Sequence, residues 1–338
     1  MSNKIFSIGS AFVLGASFAV ADVPKVAVDI APVHSLVSKV MNGLGKPNLI
    51  IPAEASPHEY QLRPSEAKAL QEAKLVFWVG EDLTPWLEKG LSTLAKDATI
   101  TTLLKADGIE LLDFREGALF EAHDHSDHND HDDHDDHDDH DHGKHKKKDD
   151  HDDHDDHDDH AGHEGHDHGE HDPHAWLSPG IAKVWLNLIA AKLSEVDPSN
   201  ASIYFSNASS ANKDLDSLSD EINKILDPIR KEKFVVFHDA YQYFENHFNI
   251  SASGAISLGD ASDPSPARLK EIKERVEKED IHCVLAEPQY NEGLVKAVIE
   301  GTHANNAIID PLGVSLEIGP NLYDKLIRNL AINLSNCF

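Results

Sequence analysis

From His123 to His171 the chain sets histidine against aspartate, largely as His-Asp-Asp triplets broken by the basic patch Lys144, His145, Lys146, Lys147 and Lys148. Of the 24 histidines, 17 lie in this run, so the enrichment is local and not a property of the fold. Imidazole is the commonest protein ligand for borderline divalent ions such as zinc, and a His-rich tract is a compositional signature of metal capture. A plain solvated spacer gains nothing from alternating His with Asp. Between Glu121 and Asp172 stand 23 acidic residues and 4 lysines, with almost no apolar side chains. Such a segment cannot bury enough surface to offset its ordering entropy, so the sequence predicts a disordered loop carrying many weak, interchangeable metal sites. A tight site needs ligands on rigid elements.

Four residues outside the run stand where such elements end. His58 follows the strand-like NLIIP in a loop stiffened by Pro52 and Pro57, His174 precedes a helix opening at Ser178-Pro179, His238 closes the apolar run FVVF, and Asp310 follows NAII. Short β-branched runs alternate with amphipathic stretches: KVAVDI before a helix near Pro32, LVFWVG after a helix opening at Pro64, then KFVVFH, CVLAEP and NAIIDP with helices between. That alternation predicts parallel βαβ units, hence an α/β protein, and ligands of such sheets collect at the carboxyl ends of the strands. One long amphipathic stretch, Ser199 to about Asp227, interrupts the alternation and reads as a stiff helix joining two lobes. It contains Tyr204, Phe205, Leu215, Leu218, Ile222, Ile225 and Leu226, and the helix after Ser178 is expected to carry Val184, Trp185, Leu188 and Ile189 on one stripe. The expected organisation is a leader (1–21), an N-terminal lobe (22–198) containing the loop 121–172, a linker helix (199–228) and a C-terminal lobe (229–338). His34, His247, His282 and His303 have no comparable setting and read as surface or structural residues.

Residues 1–21 place Lys4 ahead of apolar and small residues and end Ala19-Val20-Ala21, the pattern of a cleaved signal peptide; serines dilute the run as a membrane span. No cysteine follows it to carry a lipid, so the mature chain is expected outside the cytoplasm with no membrane anchor. In an oxidising compartment the two cysteines, Cys283 and Cys337, are expected to bridge. The net charge of −30 falls largely in the loop, and no basic stripe marks the chain for nucleic acid.

The phrases SPHEYQLRPSE around His58, HDPHAWLSP around His174, VFHDAYQYF around His238, AEPQ at Glu287 and IDPLG at Asp310 resemble those of the metal-ion solute-binding proteins of bacterial ABC uptake systems. The His-rich insertion before HDPH and the placing of the two cysteines are similar to the zinc-binding members of that family. The resemblance implies two α/β lobes joined by a rigid helix, with metal held in the cleft between them. It carries over His58, His174 and His238 as ligands, and Asp310 as a ligand that water replaces in some members. Pro57 stands where some zinc members have a ligating glutamate, which leaves Asp310 or water to complete a tetrahedron.

Three imidazoles favour zinc over manganese, because affinity for nitrogen sites rises along the first-row series. The expected function is therefore periplasmic capture of zinc, by a monomer, for an inner-membrane permease driven by a cytoplasmic ATPase. Three alternatives stand beside it: a manganese-binding member of the same family, a periplasmic zinc buffer without a transporter, and a zinc hydrolase. The last lacks an HExxH helix to aim a base at metal-bound water.

Overall fold

The computed structural model describes residues 23–115, 120, 171–257 and 264–338. The expected leader and the His/Asp run through Glu170 lie outside them. Within them, buried β-branched and aromatic runs pair into two parallel sheets. The first joins β1 (Val26–Val28), β2 (Asn48–Leu49), β3 (Leu75–Trp78) and β4 (Thr99–Thr102) in the order β2-β1-β3-β4. The second joins β5 (Phe234–His238), β6 (Ala255–Ser257), β7 (Cys283–Ala286) and β8 (Asn305–Ile308) in the order β6-β5-β7-β8. Strands β1, β3, β5 and β7 are buried at every residue, as the inner strands of a parallel sheet covered on both faces must be. The strand expected at NLIIP is shorter than its apolar run, because only Asn48 and Leu49 pair with β1 before the chain turns at Pro52.

In each sheet the chain leaves its first strand to one side and returns on the other. The reversal falls between β1 and β3 in one sheet and between β5 and β7 in the other, and a crevice opens at such switch points beyond the strand ends. The helices α1 (Ala31–Val40), α2 (Pro64–Glu72) and α3 (Pro85–Leu94) serve the first sheet, each with proline in its first turn. The second sheet has α6 (Gln242–Phe248), α7 (Pro266–Lys278) and α8 (Glu292–Ile299).

Between the sheets run α4 (Pro179–Val196) and α5 (Ala201–Leu226). Ser178 caps α4 by accepting from the Ile181 N–H, with Pro179 in the first helical turn, as its sequence predicts. Helix α5, 26 residues and so about 39 Å long, joins the two lobes. Its buried stripe is Tyr204, Ala208, Ala211, Leu215, Leu218, Ile222 and Leu226, a 3–4 spacing that holds one face against its neighbours. Phe205 falls about 100° round the helix from Tyr204 and is 51% exposed, so it lies outside the stripe. In α4 the buried face is Ala182, Trp185, Leu186, Ile189, Ala190 and Leu193, with Val184 and Leu188 only half-buried at its margin. The expected joining helix is present, and it is also one arm of a helical hairpin with α4. Lys183 pairs with Asp216 and Asn212 bonds Asn187 at 2.9 Å, a descending register that makes α4 and α5 antiparallel.

The closing helix α9 (Leu322–Ser335) stays in contact with β8 and also packs on α1 and α5. The Tyr323 hydroxyl donates to the Trp176 carbonyl at 2.8 Å, the Trp176 indole N–H donates to the Pro311 carbonyl at 2.9 Å, and the Tyr323 N–H donates to Ser35 Oγ at 3.0 Å. These buried bonds interlock the lobes. Cys283 and Cys337 form the expected disulfide, which ties the start of β7 to the end of α9.

Asp29, at the end of β1 on the first switch point, accepts the N–H groups of Ile30 (2.8 Å) and Val79 (2.7 Å). Burial pushes its carboxyl up to about 7 despite those donors. A carboxyl raised above its unfolded value of 3.8 stabilises the fold fully below that value, and the contribution is lost as pH rises through about 7. The Asp29 contribution to the thermal midpoint should therefore be lost by about pH 8, and Asp29→Asn, compared with the intact protein across that range, should lack that component. The buried His34 and His247, held below 6.5 by burial, contribute in the opposite direction.

Candidate metal centre

His238 is the last residue of β5, and Glu287 lies just past β7, so the second switch point sets the two side by side. His58 comes from the loop after β2, and His174 from the turn of Ala175–Leu177 that leads into α4. The structure thus brings together all three predicted histidines, drawn from both lobes. Ring centroids stand 5.6 Å apart for His58 and His174 and 5.4 Å apart for His174 and His238. A tetrahedral zinc with bonds of about 2.0–2.1 Å to imidazole nitrogen places each ring centroid about 3.2 Å from the ion, and two such centroids about 5.2 Å apart. The two observed spacings lie close to that figure. Among the described residues no group of three or more His, Cys, Asp or Glu is placed as it stands so that it could hold a metal ion.

Two of the rings are held from behind. Asp172 Oδ1 lies 2.8 Å from His174 Nδ1, and Glu287 Oε1 lies 2.6 Å from His238 Nδ1. A carboxylate only accepts, so Nδ1 carries the proton and Nε2 is left as the nitrogen with a lone pair to offer. Asp172 also takes the His174 backbone N–H at 2.9 Å, which fixes the turn as well as the ring. Both carboxylates are buried, at 1% and 2% exposure. Carboxylates placed in this way behind metal-binding imidazoles raise their basicity and set their direction. On the other side, the His58 loop is braced by Trp86, whose indole N–H donates to the Pro57 carbonyl at 2.8 Å, and by Tyr60, whose hydroxyl donates to Glu66 at 2.8 Å.

The pocket is closed by Trp176, Tyr290, Pro311 and Leu312, an apolar wall that limits water at the rings. Tyr241 packs beside His238. Burial, with the Glu287 and Asp310 carboxyls next, holds its hydroxyl well above the ordinary tyrosine range, so it is neutral at any physiological pH.

Asp310 is not among the residues that line this pocket. Its Oδ1 accepts the N–H groups of Leu312 (3.0 Å) and Gly313 (2.8 Å), and its Oδ2 accepts that of Val314 at 2.6 Å. Those donors hold the carboxylate in the chain reversal after β8, where Gln289 of the pocket lining also donates to its Oδ1 at 3.3 Å. His34 is buried in α1 with Nε2 3.1 Å from the Pro47 carbonyl, His247 packs beside Ser178 and Ser219, and His282 and His303 are exposed. The histidines of the tract before His171 lie outside the described residues; His171 itself pairs with Asp113 at the stem.

Sequence reading missed the two backing carboxylates. Asp172 had a signal, an acid two residues before a candidate ligand. Glu287 had one only in its place at a strand end. Replacing Glu287 by alanine should weaken zinc binding about 10–100-fold, and Glu287→Gln, which can still accept from Nδ1, should fall nearer the lower figure. Competition titration against a chromophoric chelator reads both.

Two parallel α/β sheets, interlocked and facing each other across a pocket lined by imidazole, place the molecule among the two-lobed solute-binding proteins that take a ligand where their lobes meet. Residues 26–337 match the family described as zinc-uptake complex component A, periplasmic (ZnuA), and the chain belongs to that family. It is 46% identical over 312 residues to the high-affinity zinc uptake system protein ZnuA of Brucella abortus (strain 2308), covering 92% of this chain and 91% of that one. The protein of the same description from Paracoccus denitrificans (strain Pd 1222) is 45% identical over 318 residues, 94% of this chain and 92% of that one. Among solved structures, a crystal structure of ZnuA shares the fold with a TM-score of 0.70 at 21% identity, covering 94% of this chain and 99% of that one.

Proposed function

We propose that this protein captures zinc in the periplasm with His58, His174 and His238 and delivers it to an inner-membrane ABC permease driven by a cytoplasmic ATPase. The observation that carries the reading is the imidazole spacing of 5.4 and 5.6 Å, with a buried carboxylate behind two of the rings. Neutral nitrogen donors suit zinc better than manganese, whose preference is for oxygen. Asp310 accepts backbone N–H groups on both oxygens, and either it or water completes the tetrahedron. The family binds and hands on a solute, so the open position serves loading and release, and the chain is not an enzyme.

Export rests on the leader: cleavage after Ala21 gives a mature chain beginning near Asp22. Among the described residues no helix is long and apolar enough to cross a membrane. The lobes divide at the linker, 22–198 on one side and 229–338 on the other, with 199–228 between, and the protein acts as a monomer. The acidic His-rich loop gathers ions and raises their concentration near the cleft. Deleting residues 123–171 should lower zinc stoichiometry and slow uptake when zinc is scarce, while the cleft ion is retained. Unchanged stoichiometry and uptake would reduce the loop to a spacer. Growth of a deletion strain under chelation separates an uptake receptor, whose loss is harmful, from a buffer, whose loss is silent.

A further inference from the structure

Arg115 lies in the segment that leaves the first sheet after β4, yet its guanidinium is docked on the second lobe. Its Nε is 3.0 Å from both oxygens of Asp239, its Nη1 is 2.8 Å from Glu245 Oε2 and its Nη2 is 3.1 Å from Glu245 Oε1; Nη2 also bonds Asp239 Oδ1. The Phe120 ring lies over the guanidinium carbon at 3.7 Å. Both carboxylates are almost wholly buried, with side-chain exposures of 6% and 5%. Asp239 is the residue next to His238, and Glu245 lies in the first turn of α6, where its other contact is the Ala252 N–H at 3.0 Å. One arginine from the first lobe therefore staples both ends of the short turn that follows a predicted ligand.

We propose that Arg115 is a positioning residue for the metal centre: by gripping Asp239 and Glu245 across the lobe boundary, it fixes the turn that aims the His238 ring. This rests on the reading of His238 as a ligand. A buried ion pair is weak evidence for stability, since apolar side chains of the same size often serve as well. What an arginine fork adds is direction, because two parallel N–H···O bonds to a carboxylate define both distance and angle. The same turn is gripped again close by. Gln242 donates to the Asp113 carbonyl at 2.9 Å and to Asp172 Oδ2 at 3.3 Å, and the Tyr243 hydroxyl donates to the Asp172 carbonyl at 3.0 Å while accepting the Leu112 N–H at 3.0 Å. Asp172 is the carboxylate behind His174. The start of α6 thus links the backing of one imidazole to the backbone of the next, and Arg115 supplies the charged member of that link.

The test measures zinc affinity, the rate of zinc release to excess chelator and the visible spectrum of the cobalt-substituted protein. It uses Arg115→Lys, which keeps the charge and loses the fork, and the triple variant R115M/D239N/E245Q, which removes the clamp without leaving buried charge. Both should fold with the disulfide formed, bind zinc about 10–100-fold more weakly, the range for removed supports of metal ligands, and do so through faster release. Both should also shift the cobalt bands that report ligand geometry. Arg328→Met, which breaks an ion pair with Glu221 between α9 and α5, should lower the thermal midpoint and leave affinity and spectrum unchanged. The proposal is overturned if either Arg115 variant matches the intact protein in affinity and spectrum, or if Arg328→Met weakens zinc as much. His238→Ala, run alongside, isolates the parent reading: if it binds zinc normally, the ligand assignment fails whatever Arg115 does.

Discussion

Replacing His238 by alanine should lower the affinity of the cleft for zinc by about 10²–10³-fold. A four-ligand structural zinc site is worth about 10–16 kcal/mol at neutral pH, so one ligand accounts for roughly a quarter, about 3–4 kcal/mol. At 1.4 kcal/mol per decade that is the stated loss. The change does more than delete a donor, because Glu287 loses the partner that its Oε1 meets at 2.6 Å and is left as a buried carboxylate beside the ion. Its charge pulls the ion while its geometry is wrong for a tetrahedron built around the other rings. Affinity therefore falls and selectivity should drift towards harder, oxygen-seeking ions such as manganese. The measurement belongs on protein lacking residues 123–171, where ions held by the loop do not enter the count. Zinc and manganese titrated side by side give both numbers, and an unchanged zinc curve for His238→Ala would remove that ring from the site. His58→Ala and His174→Ala should behave alike, His174→Ala with the added loss of the ring that Asp172 orients.

His58 and His238 stand just beyond a strand, where parallel sheets gather ligands, and His174 stands just before a helix. Those places alone were weak signals, and the resemblance to the metal-binding family singled the three out together. The long helix was legible from its 3–4 stripe, and the disulfide from two cysteines in an exported chain. Asp310 has the same kind of address as His238, and its carboxylate also holds the backbone of residues 312–314. The order IDPLG did not announce those bonds. Glu287 needs the strand order: β5 pairs with both β6 and β7, and only that arrangement sets residue 287 behind residue 238. Arg115 needs more, since its partners lie 124 and 130 residues away on another sheet. Short-range patterns report which element a residue occupies, whereas contacts between elements depend on topology that no single stretch encodes.

Removing the Cys283–Cys337 bridge should destabilise the protein by about 4 kcal/mol. The two residues are 54 apart in sequence, and cross-linking a loop of that length removes about 14 cal/mol/K of freedom from the unfolded chain. For a protein of this size the thermal midpoint should drop on the order of 10 °C. The native contacts around the bridge point the same way, because Asn305 on β8 donates to the Cys337 carbonyl at 3.0 Å and α9 carries Tyr323 to Trp176 beside the pocket. Opening the bridge frees the end of α9, while the interlock at its start keeps the two lobes in register. Zinc affinity should thus stay within a few-fold once the variant is folded. That gives a quantitative check. An ion that binds only the folded state stabilises it by about 4.1 kcal/mol at a free concentration a thousand times its Kd, nearly the same as the bridge. The double variant Cys283→Ala/Cys337→Ala with zinc at that level should melt close to the intact, zinc-depleted protein. A variant that stays well below it has lost affinity as well as stability, which would place the end of α9 in control of the metal centre.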